Sequence, residues 1–423
     1  MTKVRQFWLL LHRYLGLAMT GFLVLVALTG SVLAFRAELD CWLNPDLLTV
    51  PPRTSRSLDP FKLRERAEAL DPRIRVDTVN LWREPDAAYS AWAYARPDPA
   101  TGKPYDVPLT QVFLDPYTGE RLGSRPWGEI SLERRKIISF LYRLHFSLAL
   151  PSATGNLGGY VLGAVALGWT IDCFVGFYLT LPRRRRTGTS IAATSVPGTR
   201  RSWCQRWKPA WRLKPAGHPF RAPFDLHRAP GLWLWPMLFV LAWSSVAFNL
   251  PEVYQPVMNS AFGLHGMEDL PKLSVPLEHP HIDWRAAYAL GQSRMREELE
   301  RNGIAILRED SLALDRDRGL YVYTVRSTAD VGRRTASSVT FDANTGAVKS
   351  FDWPGSKTET LGNAIPRWLI WLHTAAVLGL PMQVFVCAMG LAIVAVAITG
   401  VIIWLHKRRA RGIGVSQRQS SPL

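Results

Sequence analysis

The amino-acid sequence predicts an α-helical membrane bundle of four transmembrane helices with an internal two-fold duplication, carrying two α+β domains outside the membrane. Three observations predict it: four apolar runs of spanning length, a lopsided placement of lysine and arginine, and short motifs that recur in both halves.

Leu17–Phe35 holds 19 residues without a charge, Ala229–Leu250 holds 22, and Pro381–Leu405 holds 25. Leu157–Leu181 is the fourth run, interrupted by Asp172 alone. A helix needs about 20 apolar residues to cross the ~30 Å hydrocarbon layer, so each run reads as one span. A cleaved signal peptide is the competing reading of the first run, because Lys3, Arg5 and Arg13 precede it. The stretch is long and no A-x-A site follows, which favours an uncleaved first span.

The net charge of +17 alone suggests a nucleic-acid binder, so its location matters. From Arg183 to Arg228 there are twelve basic residues against one acidic residue, Asp225, and the stretch opens RRRR. Lys407, Arg408, Arg409, Arg411 and Arg418 follow the last span, and Lys3 and Arg5 precede the first. Basic short segments stay cytoplasmic, which places both termini and this loop on one side. Segments 37–135 and 252–365 each carry slightly more acid than base and are long enough to fold outside the membrane. The basic excess thus reports topology and contact with anionic lipid headgroups. No nucleic-acid signal remains. Cys41, Cys173, Cys204 and Cys387 lie in four different places, supporting neither a disulfide framework nor a zinc site.

Self-similarity runs through the chain. LHRYLGL at 11–17 returns as LHRAPGL at 226–232, and YRLHFSLALP at 142–151 corresponds to WLHTAAVLGLP at 371–381. QVFLDPYTGERL (111–122) and SVTFDANTGAVK (338–349) share a strand running into a D-x-x-T-G turn, where Asp caps and Gly accepts positive φ. FYLTLPRRRR and VIIWLHKRR close the second and fourth spans alike. Each half is therefore a span, an external domain, a short apolar segment and a span back, a parallel repeat with its axis along the membrane normal.

In order, the expected elements are span one (1–36), external domain one (37–135), an interfacial helix with span two (136–182), and the basic loop (183–228). Span three (229–251), external domain two (252–365), an interfacial helix with span four (366–406) and a tail (407–423) follow. The Leu150–Pro151 and Leu380–Pro381 breaks separate each interfacial helix from its span. In the external domains, 59–70 and 284–300 read as amphipathic helices, and 89–94 and 320–325 as strands. The stretch 187–225 has little periodicity and is expected on the membrane surface.

The duplication sorts the nine histidines. His12 and His227 stand at the cytoplasmic mouths of spans one and three, and His145 and His373 in the short segments on the other side. A two-fold axis sets His12 opposite His227 and His145 opposite His373, and two facing imidazoles are what a six-coordinate haem iron requires. Gly16 and Gly231, one turn beyond the first pair, remove side chains where a porphyrin would press. Arg13 and Arg228 beside that pair, and Arg143 and Arg367 near the other, suit the acidic propionates. An ionisable residue within a membrane is a functional hypothesis by default. A lone interfacial histidine is more often an anchor than a ligand; four in two symmetric pairs favour ligation. His218, His265, His279 and His281 fit no pairing. His406 faces Pro182 in the other half and is at most a spare inner ligand. Asp172 pairs with Arg13, carries a proton, or bonds a neighbouring helix.

The L-H-R-x-x-G-L entries, the LH…LP segments, the PRRRR exit and the D-x-x-T-G strands resemble the PepSY-associated transmembrane family, the iron-regulated membrane proteins, over essentially the whole chain. The family includes bacterial inner-membrane ferric-siderophore reductases with two b-type haems. The resemblance implies two periplasmic PepSY-like domains, two haem b groups, and His12, His145, His227 and His373 as iron ligands. It implies a haem-dependent transmembrane oxidoreductase of the bacterial inner membrane that passes electrons to a periplasmic ferric siderophore. With no G-x-G-x-x-G or flavin module in the sequence, the expected donor is a membrane quinol or a separate flavin reductase. Trp127 and Trp353 are candidate exposed docking aromatics. Two rivals stand beside this reading: a membrane-anchored peptide-binding or protease-modulating protein, and a metal- or proton-coupled transporter.

Overall fold

The computed structural model describes residues 2–182, 202–214, 221–263, 270–330, 335–356 and 360–419. The arginine run 183–186, His218 and His265 lie outside the described residues. The chain folds as two compact units, one formed by Met1–Ala34, His145–Tyr254 and Val384–Leu423, the other by Phe35–Leu144 and Gln255–Gln383.

The first unit is the membrane unit. Helices Lys3–Leu33, Leu157–Thr180 and Leu380–Ala410 are each long and apolar enough to cross a bilayer. Span three departs from expectation: Ala222–Trp233 and Trp235–Asn249 meet at a 73° bend, giving a fourth span only if the pair counts as one. Proline explains the break. Pro236 has no N–H to give the Leu232 carbonyl, and its ring clashes with it. Pro230 removes a second helical bond within Ala222–Trp233.

Met19, Leu23 and Ala27 of the first helix pack with Leu241, Met389 and Ile393 to form the core of this unit. Lipid gives helices no hydrophobic reason to associate, so close approach through small residues does much of the work. At Gly390 an added Cβ would lie 2.1 Å from Ser31 Oγ and 2.7 Å from the Ala27 carbonyl oxygen. Ser31 Oγ in turn bonds the carbonyls of Ala27 (2.8 Å) and Cys387 (3.1 Å), tying the first helix to the last.

The basic loop, read as aperiodic, contains a short helix at Trp203–Trp207 with a Ser202/Gln205 capping box, continued as a 3₁₀ turn to Trp211. Trp203, Trp207 and Trp211 fall on one face with ring centroids 5.2 and 5.1 Å apart. Trp207 bonds Thr180 Oγ1 through its indole N–H, and Trp233 donates to the Trp211 carbonyl. Such an aromatic belt beside Arg206, Lys208 and Arg212 suits the lipid–water interface.

The second unit is α+β, with nine strands among its described residues. β1 (Ile74–Val76), β3 (Tyr89–Ala95), β4 (Thr110–Leu114) and β5 (Arg121–Pro126) form an antiparallel sheet in the order 1-3-4-5. β2 (Thr78–Asn80), β6 (Ile306–Asp315), β7 (Leu320–Ser327), β8 (Ser337–Asp342) and β9 (Val348–Asp352) form the other, in the order 2-6-7-8-9. Helix Pro60–Glu68 covers the first sheet through Leu63 and Ala67, and Trp284–Arg301 covers the second through Ala287, Met295 and Leu299. Asp59 and Asp283 cap these helices, each accepting a backbone N–H of the first turn.

The two segments expected as separate external domains are joined by β2. Thr78 pairs with Ala313, Val79 with Leu312 and Asn80 with Ser311, so a strand from the first segment completes the sheet of the second. The chain switches sheets at Asp77, whose carboxylate accepts from Arg316 Nε at 2.7 Å and pairs with Arg75 at 3.2 Å. Both D-x-x-T-G turns have the form the sequence predicts. Asp115 accepts from the backbone of Tyr117 and Thr118, Asp342 from Asn344 and Thr345, and Gly119 and Gly346 sit at φ 73° and 74°.

Glu309 is the half-buried polar anchor of the second sheet. It accepts from Tyr323 Oη (2.6 Å), Tyr288 Oη (2.7 Å) and Gln292 Nε2 (2.9 Å). Partial burial raises the Glu309 pKa, but those three donors outweigh it and leave the carboxyl below its ordinary range. Burial and the adjacent carboxylate push the Tyr288 phenol up to about 12. A folded pKa below the unfolded one stabilises above the unfolded value, about 4.3, and that stability fades as pH falls through the folded value. Acidification below about pH 4 should therefore loosen this unit. Glu309→Gln should cost about 1–2 kcal/mol, a charge-assisted set reduced for its partial exposure, and should flatten the acid limb of thermal unfolding followed by tyrosine and tryptophan fluorescence. An unchanged acid limb would refute the assignment.

Candidate functional site

A cavity of about 530 Å³ opens within the membrane unit, in the range of cofactor sites. Its walls are largely apolar and come from Lys3–Leu33, Leu157–Thr180, the bent pair and the last helix. His12, Gly16, Arg13, His227, Gly231 and Arg228 all line it, so the sequence-predicted inner set is brought together. The His12 and His227 rings stand 5.9 Å apart, centroid to centroid, with planes at 63°. A Cβ added at Gly16 or Gly231 would meet nothing within 4 Å, so both glycines leave the cavity wall open. Gly176 and Gly400 do the opposite task. A Cβ there would press to 3.5 Å of His12 Cε1 and 3.2 Å of His227 Cε1, so each glycine backs an imidazole.

Hydrogen bonds decide which ring nitrogen is available. His12 Nδ1 lies 2.8 Å from Asp172 Oδ1, and His227 Nδ1 lies 2.8 Å from the Val396 carbonyl oxygen. A carboxylate and a carbonyl only accept, so both Nδ1 atoms carry hydrogen, and in the neutral imidazole the lone pair is then on Nε2. Asp172 thus pairs with His12 rather than with Arg13. His145 follows the same rule within this unit. The Thr29 hydroxyl lies within bonding distance of the Leu25 (2.8 Å) and Val26 (3.2 Å) carbonyls and 3.0 Å from His145 Nδ1. With its hydrogen given to a carbonyl, Thr29 Oγ1 accepts from His145, again leaving the lone pair on Nε2. Gly30 makes room, since a Cβ there would stand 3.0 Å from His145 Cε1.

Four cations line the cavity: Arg5, Arg13, Arg228 and Lys407. Arg228 is already engaged, donating to Asp225 (2.8 Å) and to the Pro209 carbonyl (2.9 Å), while its buried Nε has no partner among the described residues. Arg5 donates to the carbonyls of Leu179 and Leu181 and so closes the end of Leu157–Thr180. No hydrogen bond or ion pair engages Arg13 among the described residues, which leaves it the cation most available to an acidic group.

The remaining predicted residues belong to the second unit. Arg143 donates to the Gly128 carbonyl at 3.0 Å. Arg367 pairs with Asp352 and lies over the Trp371 ring. His373 ends helix Leu361–His373. His145 and His373 thus fall in different units. Both are followed by strained backbone: among the described residues the non-glycine positive-φ positions are Leu148 (56°) and Ala149 (52°) after His145, and Ala375 (52°) and Leu378 (60°) after His373. Left-handed leucine and alanine cost roughly 1–2 kcal/mol each, and such strain gathers at functional sites. The proposed docking aromatics are not both exposed. Trp353 is buried in the core of the five-stranded sheet, while Trp127 packs edge-on against Trp92 and Tyr142.

Sequence reading missed Gly176, Gly400, Arg5, Lys407 and Thr29. A signal for the two glycines existed, because each precedes by five residues the leucine that ends its span, Leu181 or Leu405. The family model for the PepSY-associated TM region matches residues 9–407. No curated protein matches the sequence.

Proposed function

The chain belongs to the PepSY-associated transmembrane family, and on that premise we propose that it is a di-haem oxidoreductase of the bacterial inner membrane. In this reading electrons pass from the cytoplasmic side to a ferric siderophore in the periplasm. Its N- and C-termini and basic loop lie in the cytoplasm, and its two halves are parallel repeats. A membrane quinol or a separate flavin reductase is the donor.

One observation carries the reading: two imidazoles 5.9 Å apart, their Nε2 lone pairs available, in an apolar cavity with open glycine walls. His12 and His227 would be the residues that hold the iron between them. The donor set fits. Two imidazoles line an apolar cavity, and a haem would bring the other ligands of its iron with it. Arg13, with Arg5, Arg228 and Lys407 at the cavity wall, suits the propionates.

His145 and His373 are proposed for the outer haem, with Arg143 and Arg367 near them. When bound, each haem supplies a one-electron Fe(III)/Fe(II) couple whose bis-imidazole ligation disfavours oxygen binding. His12 and His227 hold and orient, the glycines admit the macrocycle, and the span side chains exclude water. The substrate chemistry is consistent, since Fe(II) is held less tightly than Fe(III) by hard oxygen donors.

The test is a dithionite-minus-oxidised spectrum and a pyridine haemochrome count on protein purified after expression with ample haem. A b-type Soret and α-band with about two haems per chain is expected. Absence of Soret absorbance would sink the reading and leave the peptide-binding and transporter alternatives. Oxidation of the reduced protein by a panel of ferric chelates in stopped flow then tests the acceptor.

A further inference from the structure

Asp172 and Val396 hold equivalent imidazoles by unlike means. Each stands four residues before the glycine that backs its histidine, Asp172 before Gly176 and Val396 before Gly400. Each accepts the Nδ1 hydrogen at 2.8 Å. One acceptor is a carboxylate whose side chain is 11% exposed; the other is a neutral backbone carbonyl.

We propose that Asp172 is a positioning residue that makes the two inner imidazoles electronically unequal and holds the reduction potential of the centre between them low. The proposal rests on reading the cavity as a haem site. A carboxylate behind an imidazole orients the ring and raises its basicity as a ligand. A stronger donor favours the oxidised metal, and so does a fixed negative charge within a low-dielectric wall. The backbone carbonyl behind His227 orients its ring without adding charge. Arg5, Arg13, Arg228 and Lys407 line the same cavity and oppose the carboxylate's field. Arg228 is already neutralised by Asp225, and the ion-pair distance places Asp172 on His12 rather than on any of these cations.

A purely structural role is the competing account, with Asp172 only tying the second span to the first. A potential separates the two. Full-length protein carrying both haems and its Asp172→Asn variant are titrated spectroelectrochemically. The variant should keep both haems and raise one midpoint, increasing the Fe(II)/Fe(III) ratio of that haem about tenfold at fixed poise, 59 mV for a one-electron couple. The other midpoint should stay put. Unchanged midpoints, or equal shifts in both haems, overturn the role of Asp172 and leave the haem reading standing; a wild-type protein without haem overturns both. Should Asp172→Asn lose the inner haem, Asp172→Glu decides. Haem retention with a potential near wild type supports the proposal, and continued loss overturns it in favour of the structural tie.

Discussion

Replacement of His227 by alanine is expected to halve the haem content, from about two per chain to about one, leaving a spectrum with a single low-spin component. His227 lines the cavity together with His12, and its Nδ1 is fixed by the Val396 carbonyl. Loss of a mere outer-shell partner costs about 10–100-fold in metal affinity, so removal of the ligand itself should cost more. The Val396 carbonyl is not orphaned by the change, because Thr399 Oγ1 also approaches it at 2.9 Å. Folding should therefore survive. His12→Ala should remove the same component, and His145→Ala or His373→Ala the other. Retention of both haems in His227→Ala with a normal elution profile would show that the cavity is not the inner site.

A large effect on stability is expected at Gly390. In Gly390→Val the new Cβ would overlap Ser31 Oγ at 2.1 Å and the Ala27 carbonyl oxygen at 2.7 Å. The hydroxyl can rotate away only by giving up its bonds to Ala27 and Cys387. The carbonyl cannot move without unwinding the first helix. Overpacking commonly costs about 1–3 kcal/mol and more where backbone is struck, so Gly390→Val should lower the folded yield and the melting temperature of detergent-solubilised protein sharply. A double-mutant cycle sharpens the point. Ser31→Ala should rescue Gly390→Ala only in part, since the Ala27 carbonyl remains in the way; full rescue would mean that the hydroxyl alone sets the approach.

Much of the membrane unit was legible because its determinants are local and repetitive. Runs of apolar residues reported the spans, and His12 with Gly16 and His227 with Gly231 advertised one cavity through a shared spacing. The D-x-x-T-G turns were equally readable, since Asp capping and a positive-φ glycine are properties of five consecutive residues. The bend at Leu234 was hidden by the same apolarity that revealed the span: Pro236 sits uncharged among apolar neighbours, and its missing N–H and its ring break the helix. Asp172 had a charge and one named partner in sequence, Arg13, and only packing placed it on His12 instead. The Val396 carbonyl has no side-chain signature at all. The sheet exchange was least readable, because a three-residue strand carries almost no periodicity and its partner lies far along the chain.

That exchange has a consequence for how the protein is made. Thr78 pairs with Ala313, about 235 residues later in the chain. At a synthesis rate of roughly 5–20 residues per second, β2 emerges some 10–50 s before its partner strand exists. During that interval the first external segment has its own four-stranded sheet but an unanswered edge at Thr78–Asn80. Closing such a distant pair is slow by its loop entropy alone. The nascent half therefore waits with β2 unpaired until β6, the strand that completes it, is made.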